Sequence, residues 1–166
     1  TTMSNIGLHA AAKEYGIDLA ITDVGDRYVI EEMKKSGHNL GGEQSGHMIF
    51  LDYNTTGDGT LSSLIVSKIV KEEGKTLSEQ SALMTTYPQV LINVEVRNEV
   101  KNKFMENDEI RTEIEKLEKL MAGTGRVLIR PSGTQPLVRV MLEGKDEGQI
   151  RELAQGLADL IKEKLA

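Results

Sequence analysis

Val127-Leu-Ile129, Arg130-Pro-Ser-Gly-Thr-Gln-Pro136 and Leu137-Val-Arg-Val-Met-Leu142 follow one another in a stretch that decides the fold of the C-terminal half. The apolar runs on both sides are rich in β-branched residues, which favour strands. The two prolines restrict the backbone between them, so the connection is short and stiff. We therefore predict two neighbouring strands joined by a constrained loop.

The same loop has the composition of a phosphate-binding site. Arg130 and Arg139 offer guanidinium groups that match phosphate oxygens in pairs. Ser132 and Thr134 add hydroxyl donors, and Gly133 allows the backbone N–H groups to come close to a ligand. A tight turn whose two arginines are merely solvated is the alternative interpretation of these residues.

Around this loop the C-terminal half predicts a small α+β domain. Residues 90–96 alternate as a strand, and residues 108–121 form an amphipathic helix with every third or fourth residue apolar. A last helix begins at Asp146, with Gln149 three positions later as a variant of the capping box. The order of these elements predicts an antiparallel sheet flanked by helices, over residues 88–166.

The N-terminal half alternates between helical and strand patterns. Helices are predicted over 5–15, 28–35 and about 61–73, and the runs Ile17-Asp-Leu-Ala-Ile-Thr22 and Met48-Ile-Phe-Leu51 are predicted as strands. Such alternation is typical of a three-layer α/β domain, here truncated, over residues 1–74. Residues 75–87 have few long apolar runs and are predicted to form a short helix or a linker between the two domains.

A second candidate site is the glycine-rich run Gly41-Gly-Glu-Gln-Ser-Gly-His47. Glu43 and Ser45 are two positions apart, so on an extended loop their side chains would point the same way. A carboxylate beside a hydroxyl suits neighbouring sugar hydroxyls, whereas an ordinary hairpin loop with a surface glutamate is the alternative. His47 is the weaker candidate, because a lone histidine after a glycine more often packs or forms a structural hydrogen bond.

A third candidate is Thr22-Asp-Val-Gly-Asp-Arg-Tyr28, where a predicted strand meets a helix. Ligands often bind at such places in α/β folds, and Arg27 could meet a phosphate near the helix N-terminus. Asp26 and Arg27 are therefore candidate substrate contacts. The alternative, with Asp26 as the helix N-cap and Arg27 solvated, stays open on the sequence.

Composition limits the classes of function. The chain has 166 residues, 39% of them hydrophobic and 28% charged, with a net charge of −6 and no cysteine. An acidic chain is a poor partner for nucleic acid, but a small phosphorylated ligand needs only a local cationic pocket. No apolar run approaches the length of a membrane span, and no signal peptide or metal-ligand cluster is visible. Disulfides and cysteine-ligated zinc are excluded, which suits a reducing cytoplasm.

Together these motifs resemble those of one enzyme family, the α-D-phosphohexomutases. Gly42-Glu-Gln-Ser-Gly-His47 is similar to the family's sugar-binding loop, and Arg130-Pro-Ser-Gly-Thr-Gln-Pro-Leu-Val-Arg139 is similar to its C-terminal phosphate-binding loop. Thr22-Asp-Val-Gly-Asp-Arg27 is similar to the turn that precedes the sugar loop. The resemblance extends over nearly all of the chain and is greatest to bacterial members that act on glucosamine phosphates.

The resemblance implies what the chain is and does. The family has four domains, and this chain resembles the C-terminal portion of the third and the whole fourth. It implies interconversion of glucosamine 6-phosphate and glucosamine 1-phosphate through a bisphosphorylated sugar, on the route to UDP-N-acetylglucosamine for peptidoglycan. The phosphoserine and the Mg²⁺ loop would belong to the first and second domains. We therefore expect no catalytic residue here and no activity of these residues alone.

The resemblance also implies residue roles and partners. Glu43, Ser45 and His47 would bind the sugar, while Arg130, Ser132, Gly133, Thr134 and Arg139 would bind its phosphate. The expected partners are a hexosamine phosphate, the N-terminal domains of the same enzyme and a second copy in a homodimer. A glucose or mannose phosphate mutase of the same family, or a sugar-phosphate-binding module without catalysis, are the alternatives.

Overall fold

The computed structural model describes all residues, 1–166, and they form two compact units, Thr1–Thr86 and Tyr87–Ala166. No helix in either unit combines the length and the hydropathy needed to cross a bilayer. The residues predicted as a linker include a short helix, and the functional division at residues 74 and 88 stays a prediction.

The N-terminal unit contains four helices and one small sheet. The elements are α1 (Ile6–Glu14), α2 (Asp26–Ser36), β1 (Leu40–Gly42), β2 (Met48–Phe50), α3 (Gly59–Glu73) and α4 (Leu77–Ser81). Strands β1 and β2 pair antiparallel in a hairpin, with Gly41 opposite Ile49. Val29 and Met33 of α2 pack on the buried Ile49, so this small core fixes helix and hairpin together.

One predicted element of this unit is wrong. Residues 17–22 are not a strand, although their composition predicted one. A strand needs a neighbour that accepts its backbone hydrogen bonds, and only isolated bonds are made here, such as Thr2 N–H to the Thr22 carbonyl. The side chains of Ile17 and Ile21 are 61% and 52% exposed, so the apolar run is not covered within the unit.

Helix α3 likewise has the predicted period but no core behind it. None of its residues is buried, and Leu64 and Ile69 are 64% and 45% exposed. Asp58 caps its N-terminus as expected, because the side chain accepts the Leu61 N–H at 2.9 Å. The helix is therefore defined by its cap and its pattern, and none of its apolar side chains is fully buried in this unit.

The C-terminal unit confirms the predicted antiparallel sheet with helices. Its elements are β3 (Gln89–Glu95), a 3₁₀ helix (Lys101–Glu106), α5 (Asp108–Met121), β4 (Gly125–Pro131), β5 (Leu137–Gly144) and α6 (Glu147–Leu165). The strand order is β3-β5-β4, with β5 in the centre. Asp146 caps α6 by accepting the Gln149 N–H at 3.0 Å, as the sequence predicted.

Alternation along β5 divides this sheet into two different faces. Val138, Val140 and Leu142 belong to the apolar core, which also contains α5 and α6. The intervening residues point to the opposite face, and two of them, Arg139 and Glu143, are charged. The predicted inward residues of α5, namely Ile110, Ile114, Leu117 and Met121, are all buried. The helices therefore cover one face, and the charged side chains lie on the other.

Candidate functional site

The two arginines of the predicted phosphate site face each other across neighbouring strands. Arg130 on β4 is directly opposite Arg139 on β5. The Nε atoms of both are buried and have no hydrogen-bond partner. Burial, together with the adjacent Arg139 charge, lowers the pKa of Arg130 below that of a free arginine, and no carboxylate offsets this effect. Two close guanidinium groups without an acidic partner favour the binding of an anion.

The connecting loop is held in place by its own backbone and by one neighbouring lysine. Ser132 is only 3% exposed, and its hydroxyl oxygen accepts the Gln135 N–H at 3.3 Å. Lys101, from the 3₁₀ helix, donates to the Gln135 carbonyl at 3.2 Å. Gly133 and Thr134 are exposed at the loop tip, where a Cβ on Gly133 would meet no atom within 4 Å. The tip is therefore open to a ligand, while Ser132 mainly shapes the loop.

In the N-terminal unit, the predicted sugar loop is a turn at the end of the β1–β2 hairpin. Gly46 N–H donates to the Glu43 carbonyl at 3.0 Å, and Glu43 N–H donates to the His47 carbonyl at 2.9 Å. The extended geometry assumed from the spacing of Glu43 and Ser45 is therefore wrong. Ser45 lies exposed at the tip of this turn.

Glu43 is fixed by a residue that the sequence did not single out. Its Oε1 accepts the backbone N–H of Gly25 at 3.0 Å. Gly25 has φ 133°, a backbone conformation in the range that favours glycine, and it immediately precedes α2. One carboxylate oxygen is thus used to position the side chain, which leaves Oε2 for a ligand hydroxyl.

The side chains of Asp26 and Arg27 have different neighbours. Arg27 is 78% exposed and forms an ion pair with Glu31 at 2.8 Å, and the hydrogen bond to Glu31 raises the pKa of Arg27. Asp26 is not the N-cap that the alternative interpretation required, because Gly25 occupies that position. Instead, Asp26 Oδ2 lies 3.6 Å from His47 Nε2. The structure thus brings Asp26 to the sugar loop and leaves Arg27 on the helix surface.

Comparison with known proteins assigns these two units to one family. Residues 1–87 match the description "Phosphoglucomutase/phosphomannomutase, alpha/beta/alpha domain III", and residues 91–160 match "Phosphoglucomutase/phosphomannomutase, C-terminal domain". The chain belongs to the phosphoglucomutase/phosphomannomutase family. The family assignment confirms the α/β nature of the first unit.

Individual members of the family are close in sequence. The chain is 68% identical to a phosphoglucosamine mutase of Clostridioides difficile over its whole length, and 61% identical to one of Caldanaerobacter subterraneus over 99% of its length. It covers 37% of each of these relatives, so it spans little more than a third of their length.

Solved structures of the family share the fold. A variant of the Aspergillus fumigatus N-acetylphosphoglucosamine mutase, in complex with glucose 1,6-bisphosphate, matches 98% of the chain with a TM-score of 0.81 and 20% identity. An N-acetylglucosamine-phosphate mutase in its substrate complex matches 97% with a TM-score of 0.78 and 22% identity. The chain covers 37% of each of these structures, and at such identities the likeness concerns the fold.

Sequence analysis missed three residues that position the site. Gly25 anchors Glu43, Lys101 contacts the phosphate loop, and Gly57 lies against the ring of His47. A signal existed for Gly25, since it lies within the third candidate motif, residues 22–28, although sequence analysis gave it no role of its own. No pattern marks Lys101, because its contact depends on the fold of the 3₁₀ helix beside the loop.

Proposed function

We propose that these residues are the substrate-binding part of a phosphoglucosamine mutase, which interconverts glucosamine 6-phosphate and glucosamine 1-phosphate. The observation that carries this proposal is the Arg130–Arg139 pair, which is partly buried and has no acidic partner. A phosphate dianion would satisfy both guanidinium groups at once. Relatives that bear the name phosphoglucosamine mutase support the choice of an amino sugar.

In this proposal the two candidate loops have separate tasks. Arg130, Arg139 and the exposed loop tip hold the phosphate that is not being transferred, and Gly133 and Thr134 add donors there. Glu43 and Ser45 bind sugar hydroxyls in either of the two orientations that the isomerisation requires. Both loops position the reacting hydroxyl rather than break a bond, and positioning alone lowers the barrier of phosphoryl transfer.

The remaining chemistry is assigned to residues outside this chain. A phosphoserine would donate the phosphoryl group, a bisphosphorylated sugar would be the intermediate, and Mg²⁺ would be bound in another domain. No group of three or more acidic or histidine side chains in this chain could hold a metal ion. The product would supply UDP-N-acetylglucosamine synthesis in the cytoplasm. Homodimer formation stays a prediction.

The experiment is an amide-resolved NMR titration of the 166-residue chain with glucosamine 6-phosphate and, separately, inorganic phosphate. We expect shifts at 132–134 with both ligands, and at 43–46 with the sugar phosphate only. Shifts at neither loop at millimolar ligand would contradict the proposal. Replacing the ligand with glucose 6-phosphate and mannose 6-phosphate tests the alternative substrates, because the amino-sugar assignment requires the strongest response from glucosamine 6-phosphate.

A further inference from the structure

Lys101 brings a third cationic side chain to the phosphate loop. Its Nζ donates to the Gln135 carbonyl at 3.2 Å. The same carbonyl also accepts the Leu137 N–H at 2.9 Å, so two donors fix its orientation. An ammonium group has three N–H donors, and the bond to Gln135 uses one of them. Lys101 is therefore tied to the loop and keeps donors for a second acceptor.

The apolar core determines where Lys101 lies. It is the first residue of the 3₁₀ helix, and Phe104, three positions later, is buried in the core. Residues three apart lie on the same side of a 3₁₀ helix, so the anchoring of Phe104 also directs Lys101 toward the body of the unit. Lys103 belongs to the same short helix, but its side chain is exposed and makes no hydrogen bond or ion pair.

No carboxylate neutralises the ammonium group of Lys101. Lys116 and Lys164 of the same unit form ion pairs with glutamates, at 3.0 Å and 2.9 Å, whereas the partner of Lys101 is a carbonyl. Because a carbonyl has no net charge, the full positive charge of the lysine remains beside the loop. In a chain with a net charge of −6, a dianion needs such a local excess of positive charge.

Lys101 and the two arginines approach the loop from opposite faces of the sheet. Side chains alternate along a strand, so Arg139 and its neighbour Arg130 lie on the face that the helices leave uncovered. Lys101 comes from the 3₁₀ helix, which packs with α5 and α6 on the other face. The backbone N–H groups at 133–134 have no acceptor within the chain. An anion bound to these N–H groups would therefore have positive charge on both sides.

We propose that Lys101 is a third cationic residue of the phosphate site, where its ammonium group stabilises a bound dianion together with Arg130 and Arg139. The hydrogen bond to the Gln135 carbonyl keeps this ammonium group beside the loop before the ligand arrives. Two arginines balance the charge of a dianion, and the third positive charge strengthens the preference for a dianion over a monoanion. The binding of an anion at this loop rests on the proposed function, whereas the position of Lys101 does not.

The test is a set of NMR titrations of the chain with inorganic phosphate. Lys101→Met should weaken the binding of the dianion about fivefold, which is the effect of one unit charge near a solvent-exposed ligand. Lys101→Arg keeps the charge and should restore most of the affinity. Lys103→Met is the matched control, because it removes the same charge from the same helix, and it should change the affinity far less. Unchanged phosphate affinity in Lys101→Met would overturn the proposal.

The charge of the ligand separates this role from a purely structural one. Coulomb attraction grows with ligand charge, so the loss in Lys101→Met should be larger at about pH 8, where phosphate is mainly a dianion, than at about pH 5, where it is mainly a monoanion. Sulfate stays a dianion throughout, and its loss of affinity should be the same at both pH values. Equal losses for phosphate at both pH values would show that Lys101 only shapes the loop, which would overturn the proposal.

The same titrations distinguish this proposal from the proposed function. Binding of inorganic phosphate at 132–134, without a response of 43–46 to glucosamine 6-phosphate, would contradict the sugar-binding part of the proposed function. The effect of Lys101→Met on phosphate affinity would then still decide the role of the lysine. Absence of shifts at 132–134 with phosphate, sulfate and glucosamine 6-phosphate would overturn both.

Discussion

Arg130 and Arg139 are direct cross-strand neighbours in the only strand pair that flanks the phosphate loop. The neighbouring positions on the same strands point to the other face of the sheet, toward the core. The pairs there are apolar, with Ile129 opposite Val140 and Val127 opposite Leu142. Packing therefore holds the strands together, and the two like charges are brought close against their mutual repulsion. Such a pair costs stability in the absence of an anion, and we expect a bound anion to offset this cost.

We predict opposite effects of Arg130→Met on binding and on stability. Affinity for inorganic phosphate should fall by about 2 kcal/mol, because a charge-assisted pair is lost. The free energy of unfolding of the C-terminal unit should stay constant or rise by about 0.5 kcal/mol, because the cross-strand repulsion is removed. NMR titration and hydrogen exchange measure the two quantities. Unchanged phosphate affinity would contradict the binding of phosphate by Arg130. Arg139→Met should have the same two effects.

The affinity for glucosamine 6-phosphate should depend on pH through the ligand. Its second phosphate proton has a pKa of about 6, so the dianion predominates above that value. A guanidinium does not lose its proton in this range, so the change of charge comes from the ligand. Affinity should therefore rise between roughly pH 5 and pH 7. Titrations at both pH values decide this, and an affinity that falls across the interval would argue against a site for the dianion.

Much of the C-terminal unit could be predicted, because the residues that recur as apolar in its sequence are the residues that the structure buries. The four apolar positions of α5 are all buried, and Asp146 caps α6 as its sequence indicated. The phosphate-loop residues were predicted for a chemical reason, since clustered guanidinium groups and hydroxyls offer donors that match a phosphate, and this role stays a prediction. Their direct pairing across β4 and β5, however, depends on strand register, which the sequence does not show.

The N-terminal unit was harder to predict, because some of its sequence patterns take effect only through a neighbouring strand or a close packing contact. The run at residues 17–22 has the composition of a strand but no neighbour to pair with, so composition alone was misleading. Strand β1 was missed because glycines disfavour strands. At Gly41 a Cβ would lie 2.4 Å from the sulfur of Met33, so close packing on α2 requires a glycine there. Such a requirement is visible only in three dimensions.

A buried ion pair in the C-terminal unit leads to a prediction about stability. Glu143 is fully buried, with Arg126 Nε 2.6 Å from Oε2 and Gln89 Nε2 2.9 Å from Oε1. Arg126→Met should lower the free energy of unfolding by about 3 kcal/mol, because it removes the cationic partner of a buried carboxylate. Replacing both Arg126 and Glu143 with methionine should cost less than that single change.

The control for this prediction is an exposed ion pair in the same unit. Arg151 contacts Glu147 at 2.6 Å, but their side chains are 65% and 60% exposed. Arg151→Met should therefore change stability by less than about 0.5 kcal/mol. Urea unfolding of the variants gives the comparison. Equal losses in the free energy of unfolding for Arg126→Met and Arg151→Met would show that the burial of Glu143 does not strengthen its ion pair with Arg126.

Gly25 connects backbone conformation to the sugar loop, so its replacement should have two effects. Gly25→Ala should destabilise the N-terminal unit by about 1–3 kcal/mol, because φ 133° is strained for any residue with a Cβ. It should also shift the amides of 43–46, because the Gly25 N–H that holds Glu43 would move. Gly156→Ala, in the middle of α6 with open space around it, should instead stabilise its helix by about 0.5–1 kcal/mol. Hydrogen exchange in α2 and β2 measures the first effect. Normal exchange there, with unshifted amides at 43–46, would show that Glu43 keeps its place without Gly25.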